Sequence, residues 1–420
     1  MRFLSLLFSF VFAFSLLNAQ DTVRILTYNL LYYNHYGQDW CTEENNPINN
    51  KDQWLRTIIS YTKPDIVAFN EVAGNEITKY KLKGSVLNTD GRTYFKETNY
   101  PYGAGNLTCF MYYNQEKFDL KEVFDVYTAS SRDFKVYRLQ YKHSLSETNL
   151  YIIPVHFAAG NNTSGQNKRA QMADSIMSLV ERRGNNDNFI VLGDMNVYRH
   201  TEPAFQKLIN HPNIEYRFYD PVNQLGSWNN NPSFKNYHTQ STHTDDDGCK
   251  ATGGLDDRFD IILVDDDILS GAGRVKYIEN SYTTVGQDGE HFNHSLIVGG
   301  NSSVPADVLN ALYNMSDHLP VYADFVIGNA NSSEIYSFEN VKINYQNPIN
   351  LELKVEILSP EYDYYELSLV TSMGVVLETT GDFIANSGSF VFNTETISKG
   401  VYHLIVSNSK GFTTKKILKL

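Results

Sequence analysis

Apolar residues in the first three quarters of the chain form two kinds of pattern. Short continuous apolar runs, which are typical of buried strands, occur in "VRILTYNLL", "PDIVAFNEV", "NLYIIPVHF", "NFIVLGDMNVY", "RFDIILVDD" and "HLPVYADFVI". Helical spacing occurs between some of them, in "DQWLRTIISY" and "NKRAQMADSIMSLVERR". A further helix is predicted in "TEPAFQKLI", with Thr201 as N-cap and Pro203 in the first turn. Buried strands mixed with helices predict a layered α/β domain over residues 21–328.

The pattern changes after "IGNANSSE", and we predict a linker at residues 329–340. Residues 341–420 contain short alternating strands separated by Gly and Asn turns, as in "INLELKVEIL" and "KGVYHLIVSNSKG". This pattern predicts a small all-β sandwich. No catalytic constellation is recognisable in this part of the sequence.

The chain begins with "MRFLSLLFSFVFAFSLLNAQ", in which one Arg precedes a short apolar run and then small and polar residues. This order is typical of a signal peptide, and we predict residues 1–19 as the peptide, with cleavage near Ala19–Gln20. The apolar run is too short to favour a membrane-spanning helix, and no later stretch is long enough. We therefore expect an exported, soluble protein without a transmembrane segment.

Composition is that of an ordinary globular protein, with 42% hydrophobic and 20% charged residues among 420. The net charge of −13 argues against broad electrostatic binding of nucleic acid. It does not exclude a hydrolase whose phosphate site is built around a metal ion, because the ion supplies local positive charge. Of the three cysteines, Cys41 and Cys249 lie in polar loops and are predicted to form a disulfide, whereas Cys109 in "LTCFMYY" is predicted to be a buried thiol.

Polar residues interrupt the predicted strands at particular ends. One group comes where strands end, and the other comes where the last two strands begin. If the last two strands run antiparallel to the others, both groups converge on one edge of the sheet. A single such residue is commonly a satisfied polar group, but a whole set favours a functional site. The first group is Asn29, Glu71, His156, Asp194 and Asn196, and the second is Asp260, Asp317 and His318.

These residue types suit metal-assisted attack on a phosphate ester. Glu71 and Asn29 offer oxygen ligands, which favour a hard ion such as Mg²⁺, Mn²⁺ or Ca²⁺. The sequence has no Cys/His cluster at zinc spacing. The ion would neutralise phosphate oxygens and the charge that develops on the leaving group.

The remaining polar residues supply proton transfer and hydrogen bonds. His318 has a pKa range suited to proton transfer, and Asp260 could fix its tautomer. Asp194 could orient or deprotonate the attacking water. Asn196 and His156 could donate hydrogen bonds to the phosphoryl oxygens.

The ordered set "LTYNLL", "PDIVAFNEV", "IPVHF", "VLGDMNVY", "DDRFDIILV" and "MSDHLPV" resembles the endonuclease/exonuclease/phosphatase superfamily over about residues 23–328. The resemblance implies a four-layer α/β sandwich, with two central mixed sheets between helices, and divalent-metal-dependent phosphoesterase activity. It also implies a role for each matching residue. Glu71, Asn29 and Asp317 match metal-site positions. His156, Asp194 and Asn196 match phosphate and nucleophile positions. His318 matches the catalytic histidine, and Asp260 matches the residue that orients it.

The sequence departs from the family pattern at two positions. Asn70 precedes the metal-site glutamate, where Gln is common, and we expect it to keep the same supporting role. His156 stands where abasic-site endonucleases of the superfamily use Tyr. This second departure favours the deoxyribonuclease-like and sphingomyelinase-like branches.

The C-terminal part resembles the sorting domain of the bacterial type IX secretion system. The matching features are "NPINLELKV", "SMGVVLETTG", "SKGVYHLIVSNSKG" and the end "KKILKL". The resemblance implies export across the outer membrane of a Bacteroidetes-type cell through the type IX machinery. The alternative is an ordinary β-sandwich binding module.

Two basic features have open interpretations. Arg169 could clamp a phosphate bidentately, or it could start a solvated helix. The segment "RDFKVYRLQYKH" could track a nucleic-acid backbone, although a solvated hairpin face is the better interpretation.

We therefore expect a secreted or cell-surface, monomeric, metal-dependent phosphodiesterase, and foremost an endonuclease that hydrolyses extracellular nucleic acid. The alternatives are a sphingomyelinase-like or phosphoinositide-directed phosphoesterase, and a non-catalytic binding protein on the same scaffold. Specificity would reside in two long polar insertions, residues 210–257 and about 281–303, which carry no readable code.

Overall fold

A computed structural model shows the chain as two compact units, residues 1–329 and 330–420. The predicted signal peptide and the predicted linker lie outside the residues that the structure describes. Those residues are 21–36, 40–101, 107–128, 132–144, 147–184, 188–246, 248–271, 273–328, 341–371, 375–408 and 411–420.

The first unit contains two β-sheets. The seven-stranded sheet has the order β11-β13-β1-β2-β4-β3, with β12 paired to β13, and the six-stranded sheet has the order β5-β6-β7-β8-β10-β9. The strands are β1 (Asp21–Tyr33), β2 (Ile66–Ala73), β3 (Phe95–Glu97), β4 (Leu107–Asn114), β5 (Phe118–Val126), β6 (Phe134–Tyr141), β7 (Asn149–His156), β8 (Asn188–Asp194), β9 (Phe218–Tyr219), β10 (Asp260–Asp265), β11 (Val275–Tyr277), β12 (Thr283–Thr284) and β13 (Val321–Ile327).

Helices cover the outer face of each sheet. Helices α1 and α6 share a buried cluster with the seven-stranded sheet, and α3 and α4 share another with the six-stranded sheet. The helices are α1 (Ile48–Thr62), α2 (Glu76–Leu82), α3 (Thr163–Arg183), α4 (Pro203–Ile209), α5 (Asp266–Ser270) and α6 (Ala306–Met315).

A third cluster fills the space between the two sheets. Successive strand residues point to opposite faces, so Ile190 and Leu192 enter this inner cluster while Val191 packs beneath α3 and α4. Both faces of β8 are therefore buried, which explains its continuous apolar run. The order helix, sheet, sheet, helix confirms the predicted four-layer α/β sandwich.

Strand directions bring the polar strand ends together. Strands β1 and β2 are parallel, as are β7 and β8. Strand β13 runs antiparallel to β1, and β10 runs antiparallel to β8. The starts of β10 and β13 thus lie beside the ends of their neighbours, as the sequence predicted.

One helix boundary differs from its prediction. The N-cap of α4 is Glu202, and not Thr201. The side chain of Glu202 makes no capping hydrogen bond, because its carboxylate accepts from the Tyr198 backbone N–H and binds Arg169 instead. Pro203 lies in the first turn, as predicted.

The second unit is all-β. Its antiparallel sheet has the order β14-β15-β17-β18, with β16 paired to β15. The register of the long β15–β16 pair shifts between Ser359 and Asp363, and residues from both halves of β15, such as Val355 and Leu367, share one core. This is the arrangement of a small sandwich. The strands are β14 (Lys342–Tyr345), β15 (Glu352–Thr371), β16 (Val376–Asn393), β17 (Gly400–Asn408) and β18 (Gly411–Lys419).

Among the described residues, no helix is long and apolar enough to cross a membrane.

Candidate active site

Strand register places the polar residues opposite one another. In the six-stranded sheet, Asp194 of β8 is the register partner of His156 on one side and of Asp260 on the other. In the seven-stranded sheet, Asn29 and Asn70 are register partners, so Glu71 follows directly beside Asn29. The two sheets therefore present their polar ends at the same edge of the sandwich.

Ser316 joins the start of β13 to the end of β1. Its hydroxyl donates to the backbone oxygen of Asn29 at 2.7 Å and accepts from the backbone N–H of His318 at 3.2 Å. Ser316 is fully buried. This hydroxyl therefore fixes the position of His318 relative to Asn29, and the Ser-Asp-His stretch is more than a polar turn.

His318 and Asp260 form a buried hydrogen-bonded pair. The Nδ1 atom of His318 lies 2.7 Å from Oδ2 of Asp260, which directs Nε2 toward Asn29 and Asp194. Burial by itself would lower the pKa of His318, but the carboxylates of Asp260, Asp317 and Asp194 outweigh it and raise this pKa well above its ordinary value. The pair has the geometry that we expected of a proton-transfer histidine and its orienting carboxylate.

Glu71, His156 and Asp194 form a candidate metal site. Each offers one ligand atom, and these atoms all lie within 4.8 Å of one another. The Nε2 atom of His156 is 3.5 Å from Oε1 of Glu71 and 3.5 Å from Oδ2 of Asp194. Two carboxylates and an imidazole are ligand types that fit a divalent cation.

Burial sets the protonation of this cluster. It raises the pKa of Asp194 to about 7. Burial, with smaller contributions from Arg132 and His318, lowers the pKa of His156 well below its ordinary value, so the ring is neutral and keeps a lone pair for an ion. A cation bound here would stabilise the ionised form of Asp194.

The backbone at this edge has positive φ at several non-glycine residues, among them Leu31, Tyr32, Glu71 and Asn196. Glu71 has φ of 56° and Asn196 has φ of 51°, both in the left-handed region that costs L-residues on the order of 1 kcal/mol or more. At Glu71 the strain coincides with a register shift between β2 and β4, from Phe69 to Val72. The irregular backbone turns the Glu71 carboxylate toward Asn29 and His156.

Two of the three predicted metal ligands make other contacts in the structure, and their role as ligands stays a prediction. Asn29 presents its amide nitrogen to the carboxylates, at 3.1 Å from Oε1 of Glu71 and 3.1 Å from Oδ2 of Asp194, because its oxygen accepts from the Leu31 backbone N–H at 3.0 Å. Asn29 therefore donates hydrogen bonds in the cluster, and its expected role as an oxygen ligand of the metal stays a prediction.

Asp317 lies on the histidine side of the site. Its Oδ2 accepts from the Ala251 backbone N–H at 2.9 Å and from Nε2 of Gln240 at 3.3 Å. The three-residue cluster includes His156 and Asp194, which the sequence had placed at phosphate and nucleophile positions, and does not include Asp317.

Asn196 supports Asp194 from the following turn. Its backbone N–H donates to Oδ1 of Asp194 at 3.0 Å, and its side-chain amide donates to the Phe157 oxygen at 3.3 Å. Asn70 is fully buried, and neither polar atom of its side chain has a hydrogen-bond partner among the described residues. The supporting role expected of Asn70 is therefore not seen.

The structure decides both open interpretations of basic residues. Arg169 is fully buried, pairs with Glu202 at 2.6 Å and donates to the Ala158 and Gly160 oxygens. It is therefore a buried structural residue, and both the phosphate clamp and the solvated helix start were wrong. In the basic segment, Lys135 and Arg138 pair with Asp125 and Glu122 of the same hairpin, which is the solvated-face arrangement. Arg132 differs, because its side chain donates to the backbone oxygen of Phe157 at 2.7 Å, next to His156.

Sequence reasoning missed three groups that contact the site. The side chain of Gln240 contacts His318, the Ala251 N–H binds Asp317, and the Tyr32 N–H lies 3.3 Å from Oε2 of Glu71. Two of these are backbone groups, which residue type does not reveal. Gln240 lies in the long polar insertion, and its position shortly before Asp260 was the only available signal.

The predicted disulfide is confirmed. Cys41 and Cys249 are bonded across a separation of 208 residues, and Cys109 is buried and unpaired. The disulfide joins the loop after β1 to the insertion that carries Ala251.

No protein-family model and no curated protein matches the sequence. Similar solved structures include an endonuclease/exonuclease/phosphatase family protein from Bacteroides thetaiotaomicron, with 13% identity over 76% of this chain and 99% of that chain and a TM-score of 0.48. D. rerio TDP2 complexed with single-strand DNA product has 15% identity over 72% of this chain and 98% of that chain, with a TM-score of 0.47. The human Nocturnin catalytic domain with bound sulfate has 14% identity over 73% and 97%, with a TM-score of 0.45. Similarities at this level concern the backbone fold alone.

Proposed function

We propose that residues 21–328 form a divalent-metal-dependent phosphodiesterase of the endonuclease/exonuclease/phosphatase superfamily. One observation carries the proposal. Oδ2 of Asp194 lies 3.5 Å from His156 in the candidate metal cluster and 4.0 Å from Nε2 of His318 in the proton-transfer pair. A site that combines a cation with a proton-transfer imidazole at this spacing suits hydrolysis of a phosphate ester.

The residues divide the work as follows. Glu71, His156 and Asp194 would hold the cation, which supplies positive charge for the phosphoryl oxygens. Asn29 donates to both carboxylates of this cluster and fixes their spacing. His318 moves a proton at Nε2, and Asp260 keeps the ring in the tautomer that this task needs.

We assign nucleic acid as the substrate and internal cleavage as the reaction. Support comes from His156, which stands where the abasic-site branch of the superfamily carries Tyr. The net charge of −13 is compatible with this substrate because the cation cluster, and not a basic surface, would attract the phosphate.

We also propose that the protein is exported and then sorted through the type IX machinery. The signal-peptide pattern of residues 1–19 and the ordered motifs of residues 341–420 support this part of the proposal. Deletion of residues 400–420 should trap the protein in the periplasm. Unchanged secretion of the truncated chain would leave an ordinary binding module as the better interpretation.

A substrate panel tests the activity. We expect residues 21–420 to cleave supercoiled plasmid DNA with Mg²⁺ or Mn²⁺, and we expect EDTA, Glu71→Gln or His318→Ala to abolish cleavage. His143→Ala is the matched control, because His143 is exposed and outside the site. Cleavage of sphingomyelin or a phosphoinositide, with DNA and RNA left intact, would remove the endonuclease assignment but keep the phosphodiesterase. No hydrolysis of any phosphodiester with any of the metals would remove both, and a non-catalytic binding protein would remain.

A further inference from the structure

Gln240 is held in place by its backbone on two sides. The backbone N–H of Gln240 donates to the backbone oxygen of Asp257 at 3.1 Å. The backbone oxygen of Gln240 accepts from the backbone N–H groups of Asp256 and Asp257, at 2.9 Å each. An isolated antiparallel bridge also joins Gln240 to His318. The flanking residues add hydrogen bonds from Leu319 to Thr239 and from Thr242 to Asp317. The side chain therefore starts from a fixed point beside the proton-transfer pair.

The amide nitrogen of Gln240 has two contacts. It lies 3.3 Å from Oδ2 of Asp317 and 2.7 Å from Nε2 of His318. An ionised carboxylate only accepts hydrogen bonds, so the amide nitrogen, and not the amide oxygen, must face Asp317. One N–H of the amide is thus anchored on Asp317, and the second donates to Nε2 of His318 only while that ring nitrogen is unprotonated. When Nε2 carries a proton, this N–H is left without the ring as acceptor and faces the space in front of it.

A second amide faces the same space. Nδ2 of Asn29 lies 3.5 Å from Nε2 of His318. Because Nδ1 of His318 is bound to Asp260, Nε2 is the ring atom that can reach a substrate. An oxygen atom hydrogen bonded to Nε2 would therefore lie next to the anchored amide of Gln240.

We infer that Gln240 is a further catalytic residue, whose anchored amide donates a hydrogen bond to a phosphoryl oxygen of the substrate. The inference rests on the proposed phosphodiester chemistry of this site. In the substrate-free protein the amide contacts His318, and when a phosphate group enters, its oxygen accepts from both Gln240 and His318. A preorganised donor of this kind acts where charge develops during the reaction, so its loss should lower kcat more than it raises KM.

Two substitutions of Gln240 distinguish the loss of the hydrogen-bond donor from a change in the size of the side chain. Gln240→Met keeps a side chain of similar size without a donor, and Gln240→Glu keeps the shape but replaces the donor with a second carboxylate beside Asp317. We expect Gln240→Met to lower kcat on plasmid DNA about 10²-fold, with a much smaller change in KM. We expect Gln240→Glu to be at least as damaging. Gln115→Met, at an exposed amide far from the site, is the matched control. Thermal melting of each variant separates a folding defect from a chemical one.

Binding of inorganic phosphate gives a readout that does not depend on the natural substrate. In the metal-loaded protein, nitrogen-15 spectra of the imidazoles should show phosphate shifting the His318 signal, with an affinity about tenfold weaker in Gln240→Met. If the protein cleaves no nucleic acid but this difference is found, the substrate proposal fails and the role of Gln240 stands. If Gln240→Met keeps kcat and phosphate affinity within about threefold of wild type, the donor role is wrong. Tighter phosphate binding by Gln240→Met would identify Gln240 as an obstruction and overturn the inference, as would the absence of any phosphate effect on His318.

Discussion

Oδ2 of Asp260 lies 2.7 Å from Nδ1 of His318, and both side chains are buried at the edge where the two sheets meet. The contact determines which ring nitrogen faces the open site. It also supplies the largest of the contributions that raise the pKa of His318, against the opposing effect of burial.

Asp260→Asn should therefore leave the fold intact and impair the reaction. An amide can donate to Nδ1 and thereby favour the opposite tautomer, so we expect kcat to fall by about 10²- to 10⁴-fold. Nitrogen-15 spectra should show a lower pKa for His318, because the negative charge beside it is gone. Asp119→Asn, at a hairpin position where the side chain is 48% exposed, is the control. Wild-type kcat in Asp260→Asn would contradict the proton-transfer role of His318.

The same pair predicts a pH dependence of stability. A histidine whose pKa is higher in the folded state stabilises the fold fully below its unfolded pKa of about 6.5 and loses this contribution as pH rises through the folded value. The difference in unfolding free energy between wild type and Asp260→Asn should thus contain a component that is largest in acid and shrinks in alkali. Urea unfolding at pH 5.5 and pH 9 measures it.

Asp194 also predicts a loss of stability as pH rises, in the metal-free protein. Burial raises its pKa to about 7, above the unfolded value of about 4, so in the metal-free protein this group destabilises the fold as pH rises between the two values. Asp194→Asn removes the buried negative charge. In EDTA, we expect its melting temperature relative to wild type to be higher at pH 8 than at pH 5, although the variant should be inactive.

Divalent cations should reverse the order of stability that we expect for wild type and Asp194→Asn at pH 8. A cation that binds the cluster of Glu71, His156 and Asp194 stabilises the folded wild type by mass action. In Asp194→Asn the cluster has one carboxylate ligand fewer, so the cation stabilises the variant less. Addition of Mn²⁺ at pH 8 should therefore raise the melting temperature of wild type more than that of the variant. Equal increases would place the cation elsewhere.

Most residues of this site could be predicted from local patterns in the sequence. Asp194, Asp260 and His318 were predictable because each interrupts an apolar strand at one end, and two antiparallel closing strands suffice to bring such ends together. The orientation of Asn29 was not predictable, because it depends on the Leu31 backbone N–H that occupies its oxygen. Gln240 lies in a polar insertion without periodicity, where only the folded backbone shows which side chain reaches the site.

Arg169 shows another limit of the sequence pattern. Its partner Glu202 is 33 residues away, and only the packing of α3 against α4 reveals that the pair is buried. Arg169→Ala leaves the buried charge of Glu202 without its cation, and leaves Oε2 of Glu202 and two backbone oxygens without their donor. We therefore expect a loss of about 3–5 kcal/mol of unfolding free energy. Arg182→Ala, at the exposed end of α3, should change it by less than about 0.5 kcal/mol.

Activity distinguishes the two interpretations of Arg169. Because the residue is structural, kcat of Arg169→Ala should match wild type at temperatures well below the melting transition. A variant with Arg169→Met and Glu202→Gln together should recover part of the lost stability, since no charge is left unpaired. A large fall in kcat without a loss of stability would restore the phosphate-clamp interpretation.

The Cys41–Cys249 disulfide closes a loop of 208 residues and should stabilise the first unit. Chain entropy sets an upper limit of about 5 kcal/mol for so long a loop, and measured values are typically about 2–4 kcal/mol. We expect a Cys41→Ser and Cys249→Ser double variant to lose stability in this range, as measured by urea unfolding. Burial raises the pKa of the remaining thiol, Cys109, to about 12, so it stays protonated and should not exchange with the disulfide.

Loss of the disulfide should also lower activity, because Ala251 connects the disulfide to the active site. This residue lies two positions after Cys249, and its N–H holds Oδ2 of Asp317 at 2.9 Å. Without the tether we expect the loop to loosen and Asp317 to anchor Gln240 less firmly, so kcat should fall severalfold below the melting transition. Reduced wild-type protein should behave like the double variant. If both retain full kcat while losing stability, the disulfide supports the fold alone, and the Ala251–Asp317 contact is held by the rest of the insertion.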